Sequence, residues 1–205
     1  MQDKTPLKPE LWVERPVEST IELYREWAET YDADLAKRGY HTPDRIADAL
    51  TQFMTPGSEA ILDFGCGTGV SGKALHARGF HRLHGTDITD AMLKYAESKG
   101  IYEKLWLSQP GDIPALPGVY DVIVAAGVIS LGAAPPETMD QVVAALAPGG
   151  LLALSFNDPT LEAKTYDEKL SQLLDSKQLK QLFREHGPHL DDIGMKSDVI
   201  VLERL

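Results

Sequence analysis

Apolar positions in the first fifth of the chain recur at helical spacing. Ile21, Tyr24, Trp27, Tyr31 and Leu35 follow at steps of three or four, which lines one face of an amphipathic helix with aromatic rings. Ser19 and Glu22 make the Ser-x-x-Glu pattern of a capped helix start, and Gly39 marks the stop. Thr42-Pro43 supplies a cap and a first-turn proline for a second helix bearing Ile46, Ala49, Leu50 and Phe53. From Ala60 the period switches repeatedly. Strands are expected at 60–64, 82–86, 105–107, 121–126 and 151–156, separated by helices at 70–77, 91–99 and from Pro135 to Leu146.

The expected strands are continuously apolar runs, not alternating ones, so both faces of the sheet are buried and the strands run parallel. The fold class is therefore α/β, doubly wound and mostly parallel. A long helix is expected around Leu161 to Glu185, then extended stretches at His189 to Ile193 and Val199 to Leu202, too close together for a helical crossover and hence an antiparallel hairpin. One domain is expected over 1–205, with an N-terminal helical cap at 1–55, a ligand-binding core at 56–157, and a C-terminal helix and hairpin at 158–205.

Composition narrows the function. The formal charge is −11, and 59 consecutive residues between Lys104 and Lys164 contain neither Lys nor Arg, whereas nucleic-acid affinity rests on such cations. No nucleic acid is expected as partner. Apolar runs are too short or too broken by Gly and Pro for a membrane span, and the first residues lack the apolar stretch of a secretory signal, so a cytoplasmic chain without membrane contact is expected. Cys66, the single cysteine, excludes an intramolecular disulfide and a cysteine-rich zinc cluster.

In an open parallel sheet, ligands bind beyond the carboxyl ends of the strands. The first strand ends in Asp63-Phe64-Gly65-Cys66-Gly67-Thr68-Gly69, whose alternating glycines let a ligand lie against the backbone. Gly67-Thr68-Gly69-Val70-Ser71-Gly72 is also a G-x-G-x-x-G string, and Asp87 lies 20 residues after Gly67, which suits the ribose of a dinucleotide. A fixed carboxylate at Asp63, however, suits a cationic amino acid group better than a diphosphate.

Residues 61–69, Ile-Leu-Asp-Phe-Gly-Cys-Gly-Thr-Gly, resemble the first motif of class I S-adenosylmethionine-dependent methyltransferases. Gly85-Thr86-Asp87-Ile88-Thr89, Gly111-Asp112-Ile113, Tyr120-Asp121-Val122-Ile123 and Leu146-Ala147-Pro148-Gly149-Gly150 resemble the family's later landmarks in order. The segment 27–35 with Gly39-Tyr40 resembles the Williams–Beuren-region methyltransferase-like group. The resemblance implies a seven-stranded Rossmann-like sheet, S-adenosylmethionine as cofactor and methyl transfer as activity. It implies that Gly65 and Gly67 line the methionine portion, with Asp63, Cys66 and Thr68 in the same cofactor-binding turn, that Asp87 holds both ribose hydroxyls, and that Ile88 packs on adenine with Met92 as its neighbour. Asp112 and the Ile113 N–H would meet the base, Ala126 and Gly127 would border the methyl group, Tyr31 would reach the cofactor carboxylate, and Trp27 or Tyr40 would form a lid.

Other residues carry less. Cys66 reads as a small packing residue without an activating base, and His81 and His84 point to opposite faces of a strand, which argues against a metal pair. His41 is a candidate base or a surface histidine. The segment Gly127-Val128-Ile129-Ser130 lacks the asparagine-proline-aromatic signature of nucleic-acid amino-methylation, which favours a small, partly apolar acceptor. A cofactor-binding protein without catalysis is the alternative.

Overall fold

A computed structural model describes residues 11–57, 59–112 and 117–205. The chain runs α1 (Val17–Trp27), α2 (Tyr31–Lys37), α3 (Thr42–Leu50), β1 (Ile61–Phe64), α4 (Val70–Ala77), β2 (Leu83–Asp87), α5 (Asp90–Ser98), β3 (Tyr102–Leu107) and β4 (Tyr120–Ala125). It continues through α6 (Thr138–Ala145), β5 (Leu146–Asn157), α7 (Asp158–Glu162), α8 (Thr165–Asp175), β6 (Leu179–Leu190), a 3-10 turn at Asp191–Ile193, and β7 (Met195–Arg204).

The strands form one seven-stranded sheet in the order β3-β2-β1-β4-β5-β7-β6. β3 to β5 pair in parallel, and β7 inserts antiparallel between β5 and β6. This is the doubly wound sheet with a C-terminal antiparallel hairpin that the alternation predicts. Successive residues face opposite sides. Leu62, Ile123, Leu152, Leu154 and Ile200 pack under α6 and α8, while Ile61, Val122, Val124, Ala153 and Val201 pack under α3 and α4. Strand order reverses between β1 and β4, so their carboxyl ends open the crevice where ligands settle.

Local structure departs from expectation in five places. The aromatic stripe belongs to two helices, because the chain breaks at 28–30, where Asp34 Oδ2 accepts from both Trp27 Nε1 (2.9 Å) and the Thr30 hydroxyl (2.8 Å). Helix α1 starts after Pro16, not at a Ser19 cap, since the Pro16 carbonyl already accepts from Ser19 N–H. Thr42 is the first residue of α3 and His41 precedes it; the Thr42 hydroxyl turns instead to His189 and Ser197.

The long C-terminal helix is the largest correction. Left-handed Lys164 (φ 62°) and Lys177 (φ 56°) delimit α8, and 179–190 is strand. Leu179, Leu182 and Phe183 mimic helical spacing, but the fully buried Val199–Leu202 run of β7 needs a partner on its outer edge, and β6 supplies the ladder. Helix α6 likewise starts at Thr138, after a turn in which the Pro135 and Pro136 carbonyls accept N–H groups, and Leu146 already belongs to β5.

A third apolar cluster joins Leu11, Trp27, Leu35 and Leu190, with Tyr24, Tyr31 and Tyr40 against it, so α1 and α2 lie over the carboxyl edge of the sheet. Helix α4 meets β3 through Gly72, where a Cβ would overlap the Tyr102 hydroxyl. On propensity alone Gly72→Ala stabilises a helix by about 1 kcal/mol; the overlap reverses the sign. Urea unfolding is expected to show Gly72→Ala destabilised by about 1–3 kcal/mol, and a more stable variant would contradict the Tyr102 packing.

Candidate functional site

β1 ends in Asp63, a fully buried carboxylate. The hydroxyls of Tyr102 (2.6 Å) and Ser71 (2.7 Å) both donate to its Oδ2, and its Oδ1 has no partner among the described residues. Burial pushes the Asp63 carboxyl up to about 6, opposed by those two hydroxyls and reinforced by the nearby Asp87 charge. Tyr102 opens β3, which begins three residues before the 105–107 strand that the sequence predicts. Its ring occupies the space beside Gly69, Gly72 and Gly85, so two glycines of the G-x-G-x-x-G string open onto a tyrosine.

The turn itself is built from left-handed Gly65, Gly67 and Gly69 (φ 67°, 55° and 89°). A Cβ at Gly65 would strike Val128, whereas one at Gly67 would meet nothing within 4 Å, so Gly67 alone of these three faces open space. Its N–H donates to Asp87 Oδ2 (2.9 Å), and Thr89 N–H donates to Asp87 Oδ1 (2.8 Å). Asp87 thus braces the turn; burial raises its pKa, opposed by the hydrogen bonds from Thr89, Gly67 and Ile88. Ile88 beside it is half-buried and Met92 on α5 is fully buried.

Thr68 ties the turn to the helical cap. Its hydroxyl donates to Asp32 of α2, and Lys99 Nζ bridges Asp32 Oδ2 and the Thr68 carbonyl (2.6 Å each). Cys66 is buried, against Gly85, and burial raises its thiol pKa well above normal, which fits packing and not nucleophilic attack. His84 is buried and bonded to Tyr120 (2.9 Å), whereas His81 is exposed beside His76. His41 pairs with Asp191 at 2.7 Å on the surface.

The aromatic cap faces these carboxylates. Tyr31 stands edge-on to Trp27 with centroids 4.6 Å apart, and the Tyr40 hydroxyl lies 3.3 Å from where a Gly127 Cβ would sit. Burial lifts the phenol pKa of Tyr24, Tyr31 and Tyr40, with the Asp87 charge adding to the first two and the Asp63 charge to Tyr40. Beneath the rings lies a cavity of about 60 Å³ bordered by Gly127, Ser130, Asn157 and His189. Helices α1 and α2 supply Tyr24, Trp27, Tyr31 and Leu35 to its wall, and its volume is below the roughly 300–1,000 Å³ of ordinary ligand pockets.

Asp63, Gly67, Asp87, Tyr31, Tyr40 and Gly127 therefore converge, with Trp27 above and half-buried Ala126 beside Gly127. Asp112 sits on the exposed turn after β3, its N–H donating to the Gln109 carbonyl. Ile113 lies outside the described residues. Asn157 and His189 were not singled out from the sequence. Among the described residues no helix is long and apolar enough to cross a membrane, and no three His, Cys, Asp or Glu side chains are grouped to hold a metal.

Asp63 sets a pH dependence. An aspartate titrates near 3.8 when unfolded and near 6 here, so the native state holds the proton more tightly. The stability due to this group is complete below pH 3.8 and lost as pH rises through 6. Between pH 4 and 7, Asp63→Asn is expected to gain on the order of 2–3 kcal/mol relative to the parent chain in urea unfolding; a pH-independent difference would contradict it.

Residues 38–190 match the family model described as a methyltransferase domain. Human Methyltransferase-like protein 27 is 35% identical over 159 residues, 76% of this chain and 64% of that protein. The match thus spans less than two thirds of the human relative. The 18S rRNA (guanine-N(7))-methyltransferase bud23 of Schizosaccharomyces pombe is 34% identical over 115 residues, 51% of this chain and 41% of that one. Among solved structures, the magnesium protoporphyrin IX methyltransferase of Synechocystis with bound S-adenosylmethionine superposes with a TM-score of 0.67 at 15% identity, covering 91% of this chain and 97% of the other. Sheet order, glycine turn and family match agree, and this chain belongs to the methyltransferase-domain family.

Proposed function

We propose that the chain binds S-adenosylmethionine and transfers its methyl group to a small-molecule acceptor. The observation that carries this reading is the pair of carboxylates at the ends of β1 and β2, fully buried Asp63 and half-buried Asp87, beside the open space at Gly67. When bound, the cofactor supplies a methyl group already activated on a sulfonium.

The roles follow from the chemistry of each donor set. Asp63, with one oxygen lacking a partner among the described residues, suits the cofactor's ammonium, and Asp87, at the end of β2 beside the open space at Gly67, suits the two ribose hydroxyls. Ile88 and Met92 are assigned to the adenine face, Asp112 to its amino group, and Ala126 and Gly127 to the methyl end. Tyr31, neutral because it is buried, donates to the cofactor carboxylate, while Trp27 and Tyr40 shut out water. Alignment and exclusion of water are what the protein contributes.

A small acceptor is favoured by the apolar, aromatic lining of the cavity and by the absence of basic residues between Lys104 and Lys164. The relative from Schizosaccharomyces pombe acts, by its name, on rRNA; this chain's acidic surroundings favour a different partner.

Two charge-assisted hydrogen bonds of about 1.5–3 kcal/mol each set the expected effect of Asp87→Ala. Isothermal titration should show S-adenosylmethionine binding weakened by at least about tenfold, and unchanged affinity would contradict the ribose role. Incubation of the parent chain with methyl-labelled cofactor and a metabolite extract should give a labelled small molecule; binding without transfer would support a regulatory cofactor-binding protein instead.

A further inference from the structure

We infer that Asn157 and His189 form the acceptor-binding end of the cavity and select a small carboxylate, which is methylated on oxygen. The inference rests on the methyltransferase reading above and extends it to the substrate class.

Both residues lie at the carboxyl edge of the sheet, at the ends of β5 and β6, beside Gly127 and away from the β1 and β2 carboxylates. Each is 6% exposed, and each has one end fixed by the protein. Asn157 Oδ1 accepts from both the N–H (3.1 Å) and the hydroxyl (2.6 Å) of Thr160. Its amide NH2 is thereby turned from α7 toward the cavity that Asn157 lines.

The His189 tautomer follows from a buried relay. Arg45 Nη1, which can only donate, gives a hydrogen bond to Ser197 Oγ (3.1 Å). The Ser197 proton has Thr42 Oγ1 (2.9 Å) as its acceptor, and the Thr42 proton has His189 Nδ1 (2.7 Å). Any other orientation strands a hydroxyl proton among side chains with no solvent exposure. Nδ1 therefore accepts and the ring proton sits on Nε2. Burial keeps the ring neutral, its pKa lowered to about 4.

The cavity end thus presents donors, Nε2–H and an amide NH2. Among the described residues its wall holds no Asp, Glu, Lys or Arg, and its tyrosines stay protonated, so nothing there removes a proton from an acceptor. A nucleophile that accepts hydrogen bonds and arrives already ionised at neutral pH is a carboxylate. One oxygen is held by the two donors while the other forms the C–O bond; the C–S bond breaks, its electron pair passes to sulfur, and no proton moves. The carboxylate and sulfonium charges cancel, giving a neutral ester and a neutral thioether.

Three measurements test this on the full chain. Long-range proton–nitrogen NMR of the acceptor-free protein is expected to find His189 protonated on Nε2, with Thr42→Val weakening that preference; an Nδ1–H tautomer overturns the donor assignment whatever the activity. With tritium-methyl S-adenosylmethionine and a small-molecule extract, the label is expected to be released by alkali as methanol, the mark of a methyl ester. Alkali-stable label, or no label while titration shows the cofactor bound, overturns the carboxylate; loss of cofactor binding itself overturns the proposed function instead. His189→Phe and Asn157→Asp, which keep the Tyr40 edge contact and the Thr160 bonds respectively, should lose about tenfold or more in turnover with cofactor affinity within about twofold. Equal losses in both would mark the pair as structural.

Discussion

A carboxylate with no contact to water must be accommodated before the rest of this site is possible. Asp63 ends the central strand β1, and leaving it unsatisfied is among the most unfavourable arrangements a fold contains. Tyr102 reaches it from two strands away, across β2, and Ser71 from the first turn of α4. That reach dictates sequence elsewhere, since Gly72 and Gly85 lack side chains where the Tyr102 ring passes. Even so one oxygen stays without a partner among the described residues, and the carboxyl titrates near 6. The sheet centre therefore carries a buried acceptor oxygen that none of the described residues satisfies.

The N-terminal helices answer the same constraint from above. Their aromatic side chains cover the carboxyl edge, and Asp32 fastens α2 to the glycine turn through Thr68 and Lys99. A cover of neutral rings lowers the local polarity, which strengthens charge interactions beneath it. The C-terminal hairpin adds the third wall. β7 brings Ser197 against α3, β6 brings His189 beside Tyr40, and Arg45 draws 185–188 to the same place through Glu185, Pro188 and Ser197.

Much of this was legible in the sequence, for identifiable reasons. Continuous apolar strands between capped helices gave the parallel sheet, and the glycine turn with Asp63 and Asp87 gave the ligand end, because those signals are local. The break between α1 and α2 was hidden because Tyr31 and Leu35 keep the helical rhythm across it. β6 was hidden because Leu179, Leu182 and Phe183 imitate a helix while the partner that makes them a strand lies on β7. Asn157 and His189 acquire meaning through distant contacts: the His189 relay spans Thr42, 147 residues away, and no spacing rule covers such a distance. Asp112 stands on an exposed turn after β3, a position where an aspartate also serves as an ordinary turn residue.

The central claim is that Asp63 awaits a cation, and proton counting tests it most directly. Calorimetric titration of S-adenosylmethionine near pH 6, repeated in buffers of different ionisation enthalpy, measures protons exchanged on binding. A carboxyl that is half-protonated when free and ionised beside the ligand's ammonium releases about half a proton, and Asp63→Asn abolishes that release. Binding with no proton release in the parent chain, or the same release in the variant, would contradict the account.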